Sequence, residues 1–227
     1  IASLVLDRNL DGINMDFEGA FLKGDRDKYT LLIAELALLL KPHGKLLSVD
    51  VVPQTAPPSP DDTGWAQAYD YPGLARHVDS LILMGYDYSW AGGPPGPVSP
   101  LWWLRKVLDY TLGCVPREKV VVGLPFYGRH WVIEGGRPSQ GRGVGILEAS
   151  EILARPGLHR AWDEEAACPV IRFYENDKEH VIFYEDLESL RLKLRLVKEH
   201  GIGGIAFWRL GMEDPRMWTV VRDAFLA

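Results

Sequence analysis

Residues 10–18 read Leu10-Asp11-Gly12-Ile13-Asn14-Met15-Asp16-Phe17-Glu18. Side chains alternate across a strand, so Gly12, Asn14, Asp16 and Glu18 share one face and Ile13, Met15 and Phe17 the other. The apolar set is an ordinary core face, while the polar set lines up a bare glycine, an amide and two acids. Four further short apolar runs follow: 46–52 (LLSVDVV), 78–86 (VDSLILMGY), 119–126 (KVVVGLPF) and 203–208 (GGIAFW). All five read as strands.

Helical patterns with readable ends lie between them. Residues 25–40 place Leu32, Leu36, Leu39 and Leu40 on one side and close at Gly44 after Pro42. Ser99-Pro100 is a cap and first-turn pair for a helix over 101–110. Asp186 opens a helix through Leu190, Leu194 and Val197 that Gly201 ends, and Asp214-Pro215 opens a last one ending near Phe225. Alternating strands and helices with near-continuous apolar strands indicate an α/β fold of parallel βα units covered on both faces. The exception is 169–184, two strands around Glu175-Asn176-Asp177-Lys178, a hairpin inserted before the last strand. A chain of this length can bury its core as one large domain or two small ones, and 132–185 holds a loop and the β-hairpin insertion. The stretch 135–145 reads as a flexible loop, and Gly92-Gly93-Pro94-Pro95-Gly96-Pro97, directly after a strand, as a stiff site loop.

The 227 residues are 47% hydrophobic and 25% charged, which excludes disordered, collagenous and disulfide-scaffold classes. Lys plus Arg is 25 against 31 for Asp plus Glu, a net −6 that argues against nucleic acid or an anionic membrane as partner. The longest apolar stretch, 31–40, is interrupted by Glu35 and falls short of the ~20 residues a membrane span needs. Cys114 and Cys168 are too few for a disulfide framework or a zinc site, and are either two thiols or one bridge. The six histidines lack metal-ligand spacing, so neither a metal nor a cofactor is expected. No G-x-S-x-G elbow occurs.

In a parallel array covered on both faces, a row of acids on one strand needs a reason. Asp16 and Glu18 sit on Cα atoms ~6.6 Å apart and point the same way. An ordinary glycosidase pair flanks the scissile bond from opposite sides of the sugar, which same-face neighbours do poorly. They suffice when the nucleophile belongs to the substrate, such as a 2-acetamido oxygen. Glu18 is then the general acid, and Asp16 orients the acetamido group and stabilises the charge developing on it.

Asp11 to Glu18 resembles the DGxxxDxE signature on the fourth barrel strand of family-18 glycoside hydrolases, the chitinase family. Met84-Gly85-Tyr86-Asp87-Tyr88 is similar to that family's M-x-Y-D on strand six, Gly123-Leu124-Pro125-Phe126-Tyr127-Gly128 to its strand-seven segment, and Phe207-Trp208-Arg209-Leu210-Gly211 to its strand-eight tryptophan. The resemblance implies a (β/α)8 TIM-barrel type, incomplete in this chain, with residues 1–227 the C-terminal part of a single catalytic barrel that holds strands four to eight and, at 132–185, a small α+β insertion before strand eight. It implies a catalytic acid at Glu18, an acetamido-assisting carboxylate at Asp16 and a hydrogen bond from Tyr86 to the acetamido carbonyl. It also implies a substrate-contacting acid at Asp87 and a sugar platform at Trp208. The implied substrate is a polysaccharide or oligosaccharide containing N-acetylglucosamine, chitin or peptidoglycan, met outside the cell or in its envelope. The same fold also hosts non-catalytic carbohydrate-binding relatives, the alternative reading.

One departure is Asn14, where many chitinases have Asp. Asn stands there in the branch resembling spore-cortex and peptidoglycan N-acetylglucosaminidases, and GGPPGPVSP and FWRLGMEDP also resemble that branch. The amide is expected to hydrogen-bond Asp16 and to alter the pH profile. Tyr88, Trp90, Trp102 and Trp103 surround the proline-glycine loop and either line sugar subsites or pack the next helix; Tyr127 and Trp131 divide the same way. If 10–17 is the family's fourth strand, three βα units of a typical ~250-residue barrel are expected outside this sequence. A five-strand sheet alone would expose two edges and is expected to be poorly soluble, to self-associate or to belong to a longer polypeptide.

Overall fold

The computed structural model describes residues 1–18, 25–59 and 65–225. Its strands are β1 Gly12–Met15, β2 Leu46–Val51, β3 Ser80–Met84, β4 Val120–Pro125, β5 Tyr127–Glu134, β6 Arg137–Pro138, β7 Arg142–Gly145, β8 Ala161–Asp163, β9 Cys168–Glu175, β10 Lys178–Phe183 and β11 Gly204–Trp208. Its α-helices are α1 Ala2–Asp7, α2 Arg26–Leu40, α3 Tyr71–Ala75, α4 Leu101–Leu112, α5 Ile146–Leu153, α6 Leu187–His200 and α7 Arg216–Phe225. Among the described residues two sheets form, one ordered β1-β2-β3-β4-β11 and one ordered β6-β5-β10-β9-β8 with β7 paired to β5. The chain divides into two compact units: Ile1–Met84, Lys106–Gly123 and His200–Ala206 in the first; Gly85–Arg105, Leu124–Glu199 and Phe207–Ala227 in the second.

In the first unit β1 to β4 pair in parallel, each strand joined to the next in sequence, the pattern of βα units. Leu47, Val49, Val51, Leu81, Leu83, Val120 and Val122 are fully buried on one sheet face. The opposite face carries Asn14, Ser48 and Asp50 and is open or half-buried. Strand register puts Gly12 beside Leu46, and a Cβ on Gly12 would stand 2.3 Å from the Leu46 carbonyl oxygen. Backbone cannot yield there without shifting β1 against β2. Gly12→Ala is therefore expected to cost ~1–3 kcal/mol and to lower the melting midpoint by about 5 °C, read by calorimetry.

Two local expectations are corrected. The α2 face that enters the core is Tyr29, Ile33, Leu36, Ala37 and Leu40, whereas Leu39 is exposed along with Leu31 and Leu38. A helix apolar on nearly every side gives periodicity little basis for choosing a face. Phe17 was expected in the core with Met15. Strand β1 ends at Met15, so alternation stops there and Phe17 is 41% exposed, its ring 6.0 Å from that of Tyr29.

The antiparallel sheet of the second unit is larger than one hairpin. β9 and β10 form the expected pair, and β5 adds to β10 from residues that carry no clean alternation. Residues 135–145 hold β6 and β7 paired to β5, not a flexible loop; Gly135 and Gly136 turn the chain at φ of 55° and 77°. Val181, Phe183, Val170 and Trp131 fill one face, and Ile182, Ile171, Val144 and Tyr184 the other, so β10 is buried on both faces from Val181 to Phe183. Cys114 and Cys168 are free thiols, and burial pushes that of Cys168 up.

On this sheet His130 Nε2 lies 2.9 Å from His180 Nδ1, with Arg142 Nη2 at 3.4 Å from His130 Nδ1. An arginine only donates, so His130 Nδ1 accepts and its Nε2–H points to His180. Burial, then His180 and Arg142, lower the His130 ring from 6.5 to about 4. Protons in that interval bind the unfolded chain preferentially, so this contribution to stability is full above pH 6.5 and is lost as pH falls through 4. Melting midpoints of wild type are expected to decline across that window faster than those of His130→Gln.

Candidate active site

In the first unit Asn14 ends the polar face of β1, and Asp16 and Glu18 follow the strand's carboxyl end, all three exposed. Two tyrosines hold this segment by its backbone. The Tyr69 hydroxyl donates to the Phe17 carbonyl at 2.7 Å, and the Tyr29 hydroxyl to the Met15 carbonyl at 3.4 Å. Their rings meet edge to face at 6.0 Å. Burial pushes both phenols well up; Asp50 and Asp16 add to this at Tyr29, and Glu18, Asp16 and Asp50 at Tyr69. Both therefore remain donors through the neutral range. The Asn14 amide does not go to Asp16 as expected: its Nδ2 donates to Asp50 Oδ1 at 2.9 Å, because β2 brings a third carboxylate alongside. Burial, and then the charge of Asp16, raise the Asp50 carboxyl against the opposing pull of that hydrogen bond.

In the second unit Tyr86 and Asp87 follow the end of β3. Asp87 is held in the left-handed region at φ 59°, which short polar side chains tolerate best. Arg129 donates from Nε (3.1 Å) and Nη2 (2.7 Å) to Asp87 Oδ1, and from Nη2 (2.7 Å) to Oδ2. The Tyr127 hydroxyl adds 2.6 Å to Oδ1, and burial together with Asp87 drives that phenol far up. Tyr127 is buried with its hydroxyl committed to Asp87, and the Tyr86 ring packs at 6.2 Å against it. Tyr88 lies against Trp102 and Trp103 (5.3 and 5.5 Å) yet is 45% exposed. Trp90 is open and covers Gly92 and Gly93. Ser99 donates its hydroxyl to the Gly85 carbonyl at 2.7 Å, tying the far end of the proline-glycine loop to its start.

Trp208 ends β11 with half of its surface open, before a cis peptide to Arg209. Its carbonyl accepts from Phe126 N at 2.6 Å, while Phe207 stacks on Phe126 at 4.1 Å and Trp218 meets both edge-on. Trp131 is fully buried in the antiparallel sheet, which removes it from any sugar surface. Among the described residues no three His, Cys, Asp or Glu side chains form a metal-binding group, and no helix is long and apolar enough to cross a membrane. Sequence reading missed Asp50, Tyr29, Tyr69 and Arg129.

Asp16 and Glu18 follow the carboxyl end of β1, and Tyr86 and Asp87 that of β3, the strand end where (β/α)8-barrel sites lie. Residues 1–213 match the model of glycosyl hydrolases family 18, and the chain belongs to that family. It is 32% identical over 218 residues to the cortical fragment-lytic enzyme of Bacillus subtilis, covering 94% of this chain and 49% of that protein. Among solved structures, the spore cortex-lytic enzyme SleL of Bacillus megaterium aligns with a TM-score of 0.88 at 28% identity, over 99% of this chain and 51% of that one. A chitinase from Chromobacterium violaceum aligns at 0.90 and 30%, over 100% and 69%. The chain spans about half the length of the curated relatives it matches.

Proposed function

We propose that the protein is a retaining glycoside hydrolase that cleaves β-1,4 bonds following N-acetylglucosamine by substrate-assisted catalysis. The observation that carries the reading is the Asp16–Glu18 pair, exposed just past the end of β1 in a chain of family 18. Neighbouring carboxylates on one segment cannot attack from both sides of a sugar, so the substrate's acetamido oxygen supplies the nucleophile. Glu18 protonates the leaving oxygen and then, as carboxylate, activates the water that opens the cyclic intermediate. Asp16 orients the acetamido N–H and offsets the positive charge that builds on it.

By resemblance, Tyr86 donates to the acetamido carbonyl, Asp87 contacts substrate and Trp208 offers its ring to the apolar face of the sugar. Asn14 belongs to the same set by its place on the polar face of β1, its amide held by Asp50. Tyr88 and Trp90 are assigned to neighbouring subsites on their exposure; Tyr127 acts on substrate through Asp87. The domain assignment follows the same reading, with residues 1–227 in one catalytic barrel and 132–185 inserted in it. Relatives named for cortex lysis and for chitin support two polymers, spore-cortex peptidoglycan and chitin.

Mass spectrometry of products from N-acetylglucosamine oligomers and from purified cortex strands tests the reading. The expected result is a ladder from one or both, and none from glucose oligomers, which lack the acetamido group. Binding without cleavage would replace the enzyme with a carbohydrate-binding protein.

A further inference from the structure

The geometry points to Asp50 as a positioning residue of this site, a third carboxylate that fixes which way the Asn14 amide faces beside Asp16. The inference rests on the glycosidase reading above. Asp50 lies on β2, where the register pairs Asn14 with Ser48 and Met15 with Val49, and Asp50 is the next residue of that strand, near enough to Asp16 to feel its charge. Its Oδ1 accepts a hydrogen bond from Asn14 Nδ2 at 2.9 Å.

An ionised carboxylate only accepts, so while Asp50 is charged the amide must turn its nitrogen toward β2 and its oxygen the other way. A protonated Asp50 can donate as well, and the amide is then free to turn over. The orientation of Asn14 is thus set by one half-buried acid on the adjacent strand. Facing that acid are Asn14 and Asp16 from the β1 segment, Tyr29 from α2, and Tyr69 from the segment before α3, with Glu18 acting on Tyr69. Among these described groups none is a cation. Burial and the charge of Asp16 therefore make Asp50 take its proton at a higher pH than an ordinary carboxylate, and orientation is lost from the acid side first.

The test is steady-state kinetics across pH on N-acetylglucosamine oligomers with wild type, Asp50→Asn, Asp50→Ala and Ser48→Ala, each checked for a wild-type melting curve. Asparagine at 50 can accept or donate, so it keeps the packing but no longer dictates the amide. Asp50→Asn is expected to lower kcat about tenfold with KM within a factor of three, and to move the acid limb of kcat to lower pH. Asp50→Ala should lose more, and Ser48→Ala, on the same face of β2, should match wild type. An active wild type with Asp50→Asn equal to it in kcat and pH profile overturns the positioning role and leaves the glycosidase standing. A wild type inactive on every substrate overturns the parent reading, and this inference with it.

Discussion

Glu18→Gln should reduce hydrolysis by about a thousandfold or more while leaving oligosaccharide binding near its wild-type strength. The leaving group is a sugar alkoxide that departs poorly without a proton, and positioned general acids supply ~10²–10⁴ in rate. Glutamine keeps the size and hydrogen bonding of the side chain but has no proton to give at this step. The loss should appear in kcat, because the contact that disappears exists only in the transition state. Tyr69 and Tyr29 hold the segment that bears Glu18 through the carbonyls of Phe17 and Met15, contacts that the substitution leaves in place. Isothermal calorimetry for binding and a reducing-end assay for cleavage separate the two effects. A variant retaining a tenth of wild-type kcat would remove Glu18 from the acid role.

Lys193→Met should be the most damaging single change to stability, at ~3–5 kcal/mol. The Lys193 ammonium lies 2.7 Å from Glu185 Oε2, and the two side chains are 1% and 3% exposed. The Ser189 hydroxyl gives a further 2.6 Å hydrogen bond to the same oxygen. Burial raises the Glu185 carboxyl, and only the lysine and serine oppose that. Removing the lysine leaves a desolvated acid with one neutral donor, which must either remain charged at high cost or bind a proton. A fall in the melting midpoint of about 10 °C is expected. Glu185→Leu combined with Lys193→Met should regain most of it, because the penalty belongs to the unpaired partner. A Lys193→Met chain melting within 2 °C of wild type would contradict this assignment.

The parallel half of the fold was legible because its strands bury one whole face. That gives runs such as LLSVDVV and KVVVGLPF, and their bounds agree closely with β2 and β4. Helix starts were legible where a side chain truly caps. Asp186 Oδ1 accepts from the amides of Glu188 and Ser189 at 2.9 Å each, and Asp214 Oδ1 from that of Arg216. Ser99 carried the same letters for a different purpose, since its hydroxyl bonds the Gly85 carbonyl.

What stayed hidden depends on long-range pairing. Asp50 reads as an interruption inside a strand, and only the β1–β2 register reveals that it meets Asn14. Arg129 and Asp87 are 42 residues apart, with nothing local to join them. Lys193 stands at core spacing between Leu190, Leu194 and Val197, yet a lysine is read as solvent-facing until its partner is found before the helix. Trp131 comes soon after the run KVVVGLPF, as a sugar-binding aromatic would, but it lies within β5 and packs among Val170, Val181 and Phe183.

The most direct test of the mechanism is the configuration of the first sugar released. Proton NMR would follow the anomeric signals of a freshly cleaved N-acetylglucosamine oligomer before mutarotation. Substrate-assisted catalysis by Asp16 and Glu18 predicts the β-anomer first, with α-anomer growing in later. An α-anomer appearing first would mean inversion by a carboxylate and water on opposite faces, and the account of this acid pair would be wrong.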